Sequence, residues 1–292
     1  MATFSQWVEG ARPRTLPAAL APVAVGTGSA AGLGHWDAAL ALLALLVALF
    51  LQIGVNYAND YSDGIRGTDA ERVGPVRLVG QRLAPPLLVK YAAFACFGLA
   101  CLAGLALMGL SGVTWLLLLG AAAVLAAWFY TGGRRPYGYA GLGEVFVFVF
   151  FGLVATVCTT YTQVKTVDAG TWAGAVGIGS IITAVLVANN LRDRAGDEVA
   201  GKRTLAVRLG DRSTRWFYVA LLVAVPAICT GVAAWAGHLW ALLALLGLAP
   251  AIRPVRAVLT GATGKELVAV LAATGLVALT YGALLTVGLA IR

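Results

Sequence analysis

Apolar stretches near the roughly 20 residues a helix needs to cross a bilayer recur along almost the whole chain. They fall at 15–33, 38–58, 86–109, 113–131, 144–163, 172–191, 216–235, 239–257 and 267–290. The composition agrees, because 60% hydrophobic residues, 12% charged residues and a mean hydropathy of +0.85 lie far outside the range of soluble domains. The expectation is an all-α, polytopic membrane protein with nine transmembrane helices in a single domain over 1–292. The first run holds Pro17 and Pro22 behind Arg12 and Arg14, which invites confusion with a cleaved signal peptide. Eight further spans follow it and no clear cleavage site does, so it reads as a retained helix.

Cations set the orientation, since short loops rich in Lys and Arg stay cytoplasmic. Under the nine-helix layout 19 of the 21 Lys and Arg fall on one side, leaving only Lys165 and Arg292 opposite. The N-terminus and the acidic loops are thus expected in the cytoplasm and the C-terminus across the cell membrane. The net charge of +8 is spread over these topogenic loops with no nucleic-acid-binding motif, which excludes nucleic acid as a partner.

Acidic residues gather in two loops, after the second and sixth runs. Asp60, Asp63, Asp69 and Glu71 occupy the first, and Asp193, Asp197, Glu198 and Asp211 the second. Both loops are also basic, with Arg66, Arg72, Arg77 and Arg82 in one and Arg192, Arg194, Lys202, Arg203, Arg208, Arg212 and Arg215 in the other. Side chains three or four residues apart share a helix face. Asn56, Asn59, Asp60 and Asp63 therefore line the end of the second helix, and Asn189 or Asn190 with Asp193 and Asp197 line the end of the sixth. Carboxylates at this spacing repel unless a cation intervenes, and hard oxygen ligands suit Mg²⁺. Such Mg²⁺ sites commonly share the ion with substrate phosphates, and the neighbouring Arg and Lys then have an anion to hold. Metal, cations and a lipid bilayer together point to a lipid diphosphate. Solvated loop charge or helix capping is the plainer reading of either cluster alone; two clusters with matched spacing argue against it.

These residues carry a resemblance. "NDYSD" (Asn59 to Asp63) resembles the N-D-x-x-D motif of the intramembrane aromatic prenyltransferases, and Asp193-x-x-x-Asp197 followed by Gly201-Lys202-Arg203-Thr204 resembles their second Asp motif. "ARPRTLPAALAPVAVG", "GVNYANDYSDGIRGTDAERVGPVRLV", "YTGGRRPYGYAGLGE" and "GKRTLAVRLG" resemble, in that order, segments of the 1,4-dihydroxy-2-naphthoate polyprenyltransferases. The resemblance spans residues 11 to 210. It implies nine helices around a central cavity, and prenylation of 1,4-dihydroxy-2-naphthoate by a polyprenyl diphosphate with loss of CO₂ and diphosphate, giving demethylmenaquinol for menaquinone synthesis. It further implies metal ligation by Asn59, Asp63, Asp193 and Asp197, an acidic position at Asp60 of open duty, and basic positions near the diphosphate at Lys202, Arg203 and Arg134 or Arg135. Asp69 follows Asp63 at wider spacing than in some relatives and is a weak ligand candidate.

The chemistry has its own logic. Loss of diphosphate from an allylic carbon builds negative charge on the leaving oxygens, which two Mg²⁺ ions and several cationic side chains stabilise, and the aromatic ring then needs little more than close placement. Arg66 and Asn190 join the substrate-binding candidates with Asn56. Tyr57, Tyr61 or Tyr130 offer faces to the allylic cation, against the plainer role of Tyr at a membrane interface. Arg14 suits the carboxylate of the aromatic acid, or serves as a topogenic charge. Glu144 either faces the cavity or favours a helix N-terminus; the second is preferred.

Other chemistries fall away. His35 and His238 lie on the side opposite the Asp clusters, and Cys96, Cys101, Cys158 and Cys229 lack metal or redox spacing. Gly28 and Gly32 form a G-x-x-x-G pair, which with Gly174, Gly177 and Gly179 predicts close helix packing. A secondary transporter would place its carboxylates nearer the midplane. An alcohol phosphotransferase would hold its carboxylates in one contiguous motif, and 4-hydroxybenzoate is the competing acceptor.

Overall fold

The computed structural model describes residues 2–67 and 76–291. Asp69, Glu71 and Arg72 lie outside the described residues, and with them the candidacy of Asp69 as a ligand. The elements are α1 (Phe4–Gly10), α2 (Pro17–Gly32), α3 (Ala38–Ile65), α4 (Pro86–Ser111), α5 (Leu116–Phe129), α6 (Gly143–Val164), α7 (Ala169–Val199), α8 (Leu205–Trp235), α9 (Leu239–Leu259) and α10 (Gly264–Ala290). No strand occurs among the described residues, and the chain is a multi-pass helical membrane protein.

Among the described residues seven helices, α3, α4 and α6 to α10, are long and apolar enough to cross a membrane. The runs at 15–33 and 113–131 form α2 and α5, of 16 and 14 residues. Both fall short of that length, so the expected count of nine is met at seven positions. Pro17 opens α2 at a position where its missing N–H costs nothing, after a backbone turn in which Arg12 adopts φ +54°.

Several helices depart from ideal geometry where packing asks for it. In α6 the turn over Phe148–Val154 is widened, and there Gly152 rests against Gly179 of α7 so closely that a methyl group on either would meet the other's Cα. In α8 a similar widening at Ala220–Ala224 precedes Pro226, whose carbonyl accepts from the hydroxyls of Thr230 and Tyr281. Small residues draw α2 against α10: a methyl group on Gly28 or Gly32 would collide with the carbonyl oxygen of Thr286 or Leu289. The G-x-x-x-G pair thus packs as its spacing predicts. Because the obstacle is backbone, Gly28→Ala is expected to destabilise the protein by about 1–3 kcal/mol, read as a lower apparent Tm in detergent. An unchanged Tm would mean these helices separate without cost.

α7 is the most enclosed of these seven helices. It packs against α2, α6, α8 and α10. Asp168 caps its start, accepting from the Thr171 N–H at 2.8 Å and pairing with His238 Nε2 at 2.7 Å. Burial pushes the Asp168 carboxyl up, but the bonds from the Thr171 N–H, His238 and the Thr171 hydroxyl outweigh it and hold it below the usual range. His238 is occupied here, at the opposite end of α7 from the Asp motif.

Candidate active site

A cavity of about 1090 Å³ opens among α2 to α7 and the start of α10, at the upper end of ligand pockets, which run to roughly 1,000 Å³. Its wall is polar where α3 and α7 end and apolar beyond, with Leu107, Met108, Leu116 and Leu119 at the far end of α4 and the start of α5. α8 and α9 contribute nothing to it.

On α3 the wall takes Gln52, Asn56, Asn59 and Asp63, steps of four, three and four that keep one face. Asn56 Nδ2 donates to the Ala11 carbonyl and the Thr15 hydroxyl at 2.9 and 3.0 Å, and Gln52 Nε2 donates to the same hydroxyl. These bonds fasten α3 to the segment before α2. Asn59 Oδ1 accepts from Thr131 Oγ1 at 2.8 Å. Asp60, whose duty the resemblance leaves open, lies apart from this face. One residue beyond Asn59 is a rotation of about 100°, and Asp60 does not line the cavity; it is 1% exposed and accepts from the N–H groups of Leu78 and Val79. These bonds tie α3 to the 76–80 segment.

Asp63 joins the two motifs. Its carboxylate accepts from the Tyr139 hydroxyl and from Lys202 Nζ at 3.2 Å, while the Lys202 N–H donates to the Asp197 carbonyl at 2.8 Å. Lys202 is 4% exposed and its ammonium lies 4.5 Å from the centre of the Tyr139 ring, a cation–π distance. A cation 139 residues further along the chain, from the second motif, therefore pairs with the first. Asp197 lines the same cavity. Asp193 differs: its carboxylate is held by the neighbouring Arg192 at 2.6 Å, and it is Arg192 that lines the wall.

The basic candidates divide. Arg14 is exposed at the cavity mouth. Arg66 does not reach the cavity; its guanidinium donates to the carbonyls of Thr131 and Gly133 and lies over the Tyr139 ring, bracing the loop after α5. Arg134, Arg135 and Arg203 are exposed and off the wall, although Tyr137, Lys202 and Thr204 of the same loops line it. Arg203 contributes its backbone N–H to the Tyr139 carbonyl instead. Four other cations line the cavity, Arg12, Arg77, Arg192 and Lys265, none singled out by spacing alone. Tyr130 and Asn190 are on the wall, as is Tyr139.

Glu144 is 4% exposed. Asn190 Nδ2 donates to its Oε1 at 2.8 Å, and its Oε2 is buried with no hydrogen-bond partner among the described residues. Leaving a buried acceptor unmet costs about 1–3 kcal/mol, more than a helix-end charge gains at roughly 0.3–1 kcal/mol. Glu144 is thus more than an N-terminal charge.

The oxygen donors fit a hard cation. Asn59, Asp63 and Asp197 face one cavity, but among the described residues no three His, Cys, Asp or Glu gather closely enough to hold an ion by themselves. A Mg²⁺ ion here must complete its shell with water and substrate phosphate, its usual habit.

Residues 19–266 match the UbiA prenyltransferase family. The chain is 55% identical over 281 residues to a 1,4-dihydroxy-2-naphthoate octaprenyltransferase of Mycobacterium tuberculosis, covering 96% of this chain and 95% of that relative. It is 42% identical over 223 residues to one from Escherichia coli, covering 74% and 72%. Among solved structures it is similar to a UbiA homolog from Archaeoglobus fulgidus bound to GPP and Mg²⁺, with a TM-score of 0.69 at 14% identity over 98% of this chain and 100% of that one.

Proposed function

Since the chain belongs to the UbiA prenyltransferase family, we propose that it transfers a polyprenyl group from polyprenyl diphosphate to 1,4-dihydroxy-2-naphthoate, making demethylmenaquinol for menaquinone synthesis. The allylic C–O bond breaks, diphosphate leaves with its electron pair, a ring carbon bonds to the prenyl carbon, and CO₂ departs. The relatives named for this reaction support the acceptor. The observation that carries the reading is the Lys202 bridge between the two Asp stretches at the polar end of an apolar cavity.

Asn59, Asp63 and Asp197 would hold Mg²⁺, joined by Asp193. We read two ions, one for each Asp motif. Bound there, the metal supplies positive charge against the departing diphosphate. Lys202, Arg77 and Arg192 add fixed cations at the same end, and Arg192 reaches the wall while holding Asp193. Tyr130 presents a ring face to the developing allylic cation, while the Tyr139 ring is engaged by Lys202 and Arg66. The apolar wall excludes water, which would otherwise capture that cation, and takes the prenyl tail. With the basic loops cytoplasmic, the acceptor enters from the cytoplasm and the donor from lipid.

The direct test incubates purified protein with 1,4-dihydroxy-2-naphthoate, a polyprenyl diphosphate and Mg²⁺ and identifies the product by mass. Prenylated, decarboxylated naphthoquinol is expected, and chelation of the metal should stop it. Prenylation of 4-hydroxybenzoate instead would replace the acceptor. Arg14 is assigned to the acceptor's carboxylate at the cavity mouth. Arg14→Ala should raise the acceptor KM about tenfold, as for one charge-assisted hydrogen bond, and the donor KM much less. Equal shifts would remove that assignment.

A further inference from the structure

Glu144 and Asn190 form a buried pair that the chemistry above leaves without a duty. Asn190 lines the cavity, whereas Glu144 stands behind it, off the wall. Glu144 Oε1 accepts from Asn190 Nδ2 at 2.8 Å, so the amide nitrogen is turned to Glu144 and Oδ1 is left for the cavity side.

The depth and the neighbours of Asn190 say what this oxygen meets. Asn190 lies seven residues before Asp197 on one face of α7, about 10 Å deeper along the axis, beyond the polar end and where the apolar wall begins. Tyr130, Tyr137 and Phe146 line the cavity on the facing loop and α6. Tyr137 and Phe146 stack at 4.0 Å, and Tyr130 meets Tyr137 edge-on at 5.5 Å. Gly143, beside Glu144, leaves room only for the Tyr130 ring and Leu186. A flat aromatic molecule fits among rings, and one carrying hydroxyl groups finds a single oriented acceptor there. A prenyl tail has no hydrogen-bond donor to offer it.

Resting on the prenyl-transfer reading, we infer that Glu144 is a positioning residue that holds the Asn190 amide oxygen toward the cavity, where it accepts a hydrogen bond from a ring hydroxyl of the aromatic acceptor. That bond orients the ring and draws its hydroxyl toward the phenolate, which enriches the carbon that attacks.

The test is a double-mutant cycle with volume-conserving changes, Glu144→Met and Asn190→Leu, measured with 1,4-dihydroxy-2-naphthoate and a polyprenyl diphosphate. Each single change should raise the acceptor KM about tenfold, as for one lost hydrogen bond, with the donor KM within about twofold. The pair should lose no more than either alone, because Glu144 acts only through Asn190. Glu144→Gln keeps an oxygen for Nδ2, so its acceptor KM should stay within about threefold of the parent, and this variant serves should Glu144→Met not accumulate. Additive losses, a donor KM that rises with the acceptor KM, or a Gln variant as impaired as the Met variant would each overturn the positioning role. If the parent prenylates the naphthoate and these results fail, prenyl transfer stands without it; a parent that does not prenylate the naphthoate overturns both.

Discussion

Asp63→Asn is expected to reduce kcat by about 10³-fold or more, on the scale of losing a group that stabilises developing charge, while the protein still inserts and folds, with a lower Tm because Lys202 loses its buried partner. The substitution keeps volume and removes one negative charge. In the ligand-free protein that charge is shared by Lys202 and the Tyr139 hydroxyl, and with substrate bound it would serve Mg²⁺. Product formation at saturating Mg²⁺ is the measurement, with size exclusion in detergent as the control for folding. Turnover near that of the parent would remove Asp63 from the metal set. Asp193→Asn should also abolish turnover if Asp193 joins the set. Its direct tie to Arg192 makes it the more demanding test of the second motif.

Lys202→Met should lower kcat/KM for the diphosphate about 10²-fold, because one preorganised cation at the departing charge is lost. It should also destabilise the protein. Both members of the Lys202–Asp63 pair are about 95% buried, with side chains 5% and 4% exposed. Removing one partner of a buried pair costs about 3–5 kcal/mol, whereas removing both costs far less. The double variant Lys202→Met with Asp63→Asn should therefore melt higher than Lys202→Met alone and remain inactive. A Lys202→Met protein as stable as its parent would mean that the bridge between the motifs is not what holds α3 to the loop after α7.

Part of the site was legible because helices repeat. Steps of three and four carry Asn56, Asn59 and Asp63 to one face, and Gln52 belongs to the same stripe, a position the polar pattern marked but its apolar surroundings hid. The same rule admitted Asp60, because spacing alone tolerates a stripe wider than the wall that forms. The loops were less readable. Arg66, Arg134, Arg135 and Arg203 share the composition of a phosphate site, yet they brace loops or face outward, while Arg12, Arg77 and Arg192 line the wall. A guanidinium sits far from its own Cα on a flexible stem, so its position in the chain says little about where its charge rests. Tyr139 and Glu144 lay in a stretch already notable for its resemblance, but nothing local marks a hydroxyl that meets Asp63 or a carboxylate that holds Asn190.

The sequence by itself determined a helical membrane protein, the helix ends that bear acids, and its family, because hydrophobic length and helical period are local properties of the chain. The tertiary structure decided where the acids go: Asp63 of α3 pairs with Lys202 from the loop after α7 and lines the same cavity as Asp197, while Asp60 turns away to a loop. Side chains far apart in sequence find one another only after the helices pack, and that packing is set by close approach of backbones at small residues such as Gly28 and Gly152, which spacing suggests but does not locate.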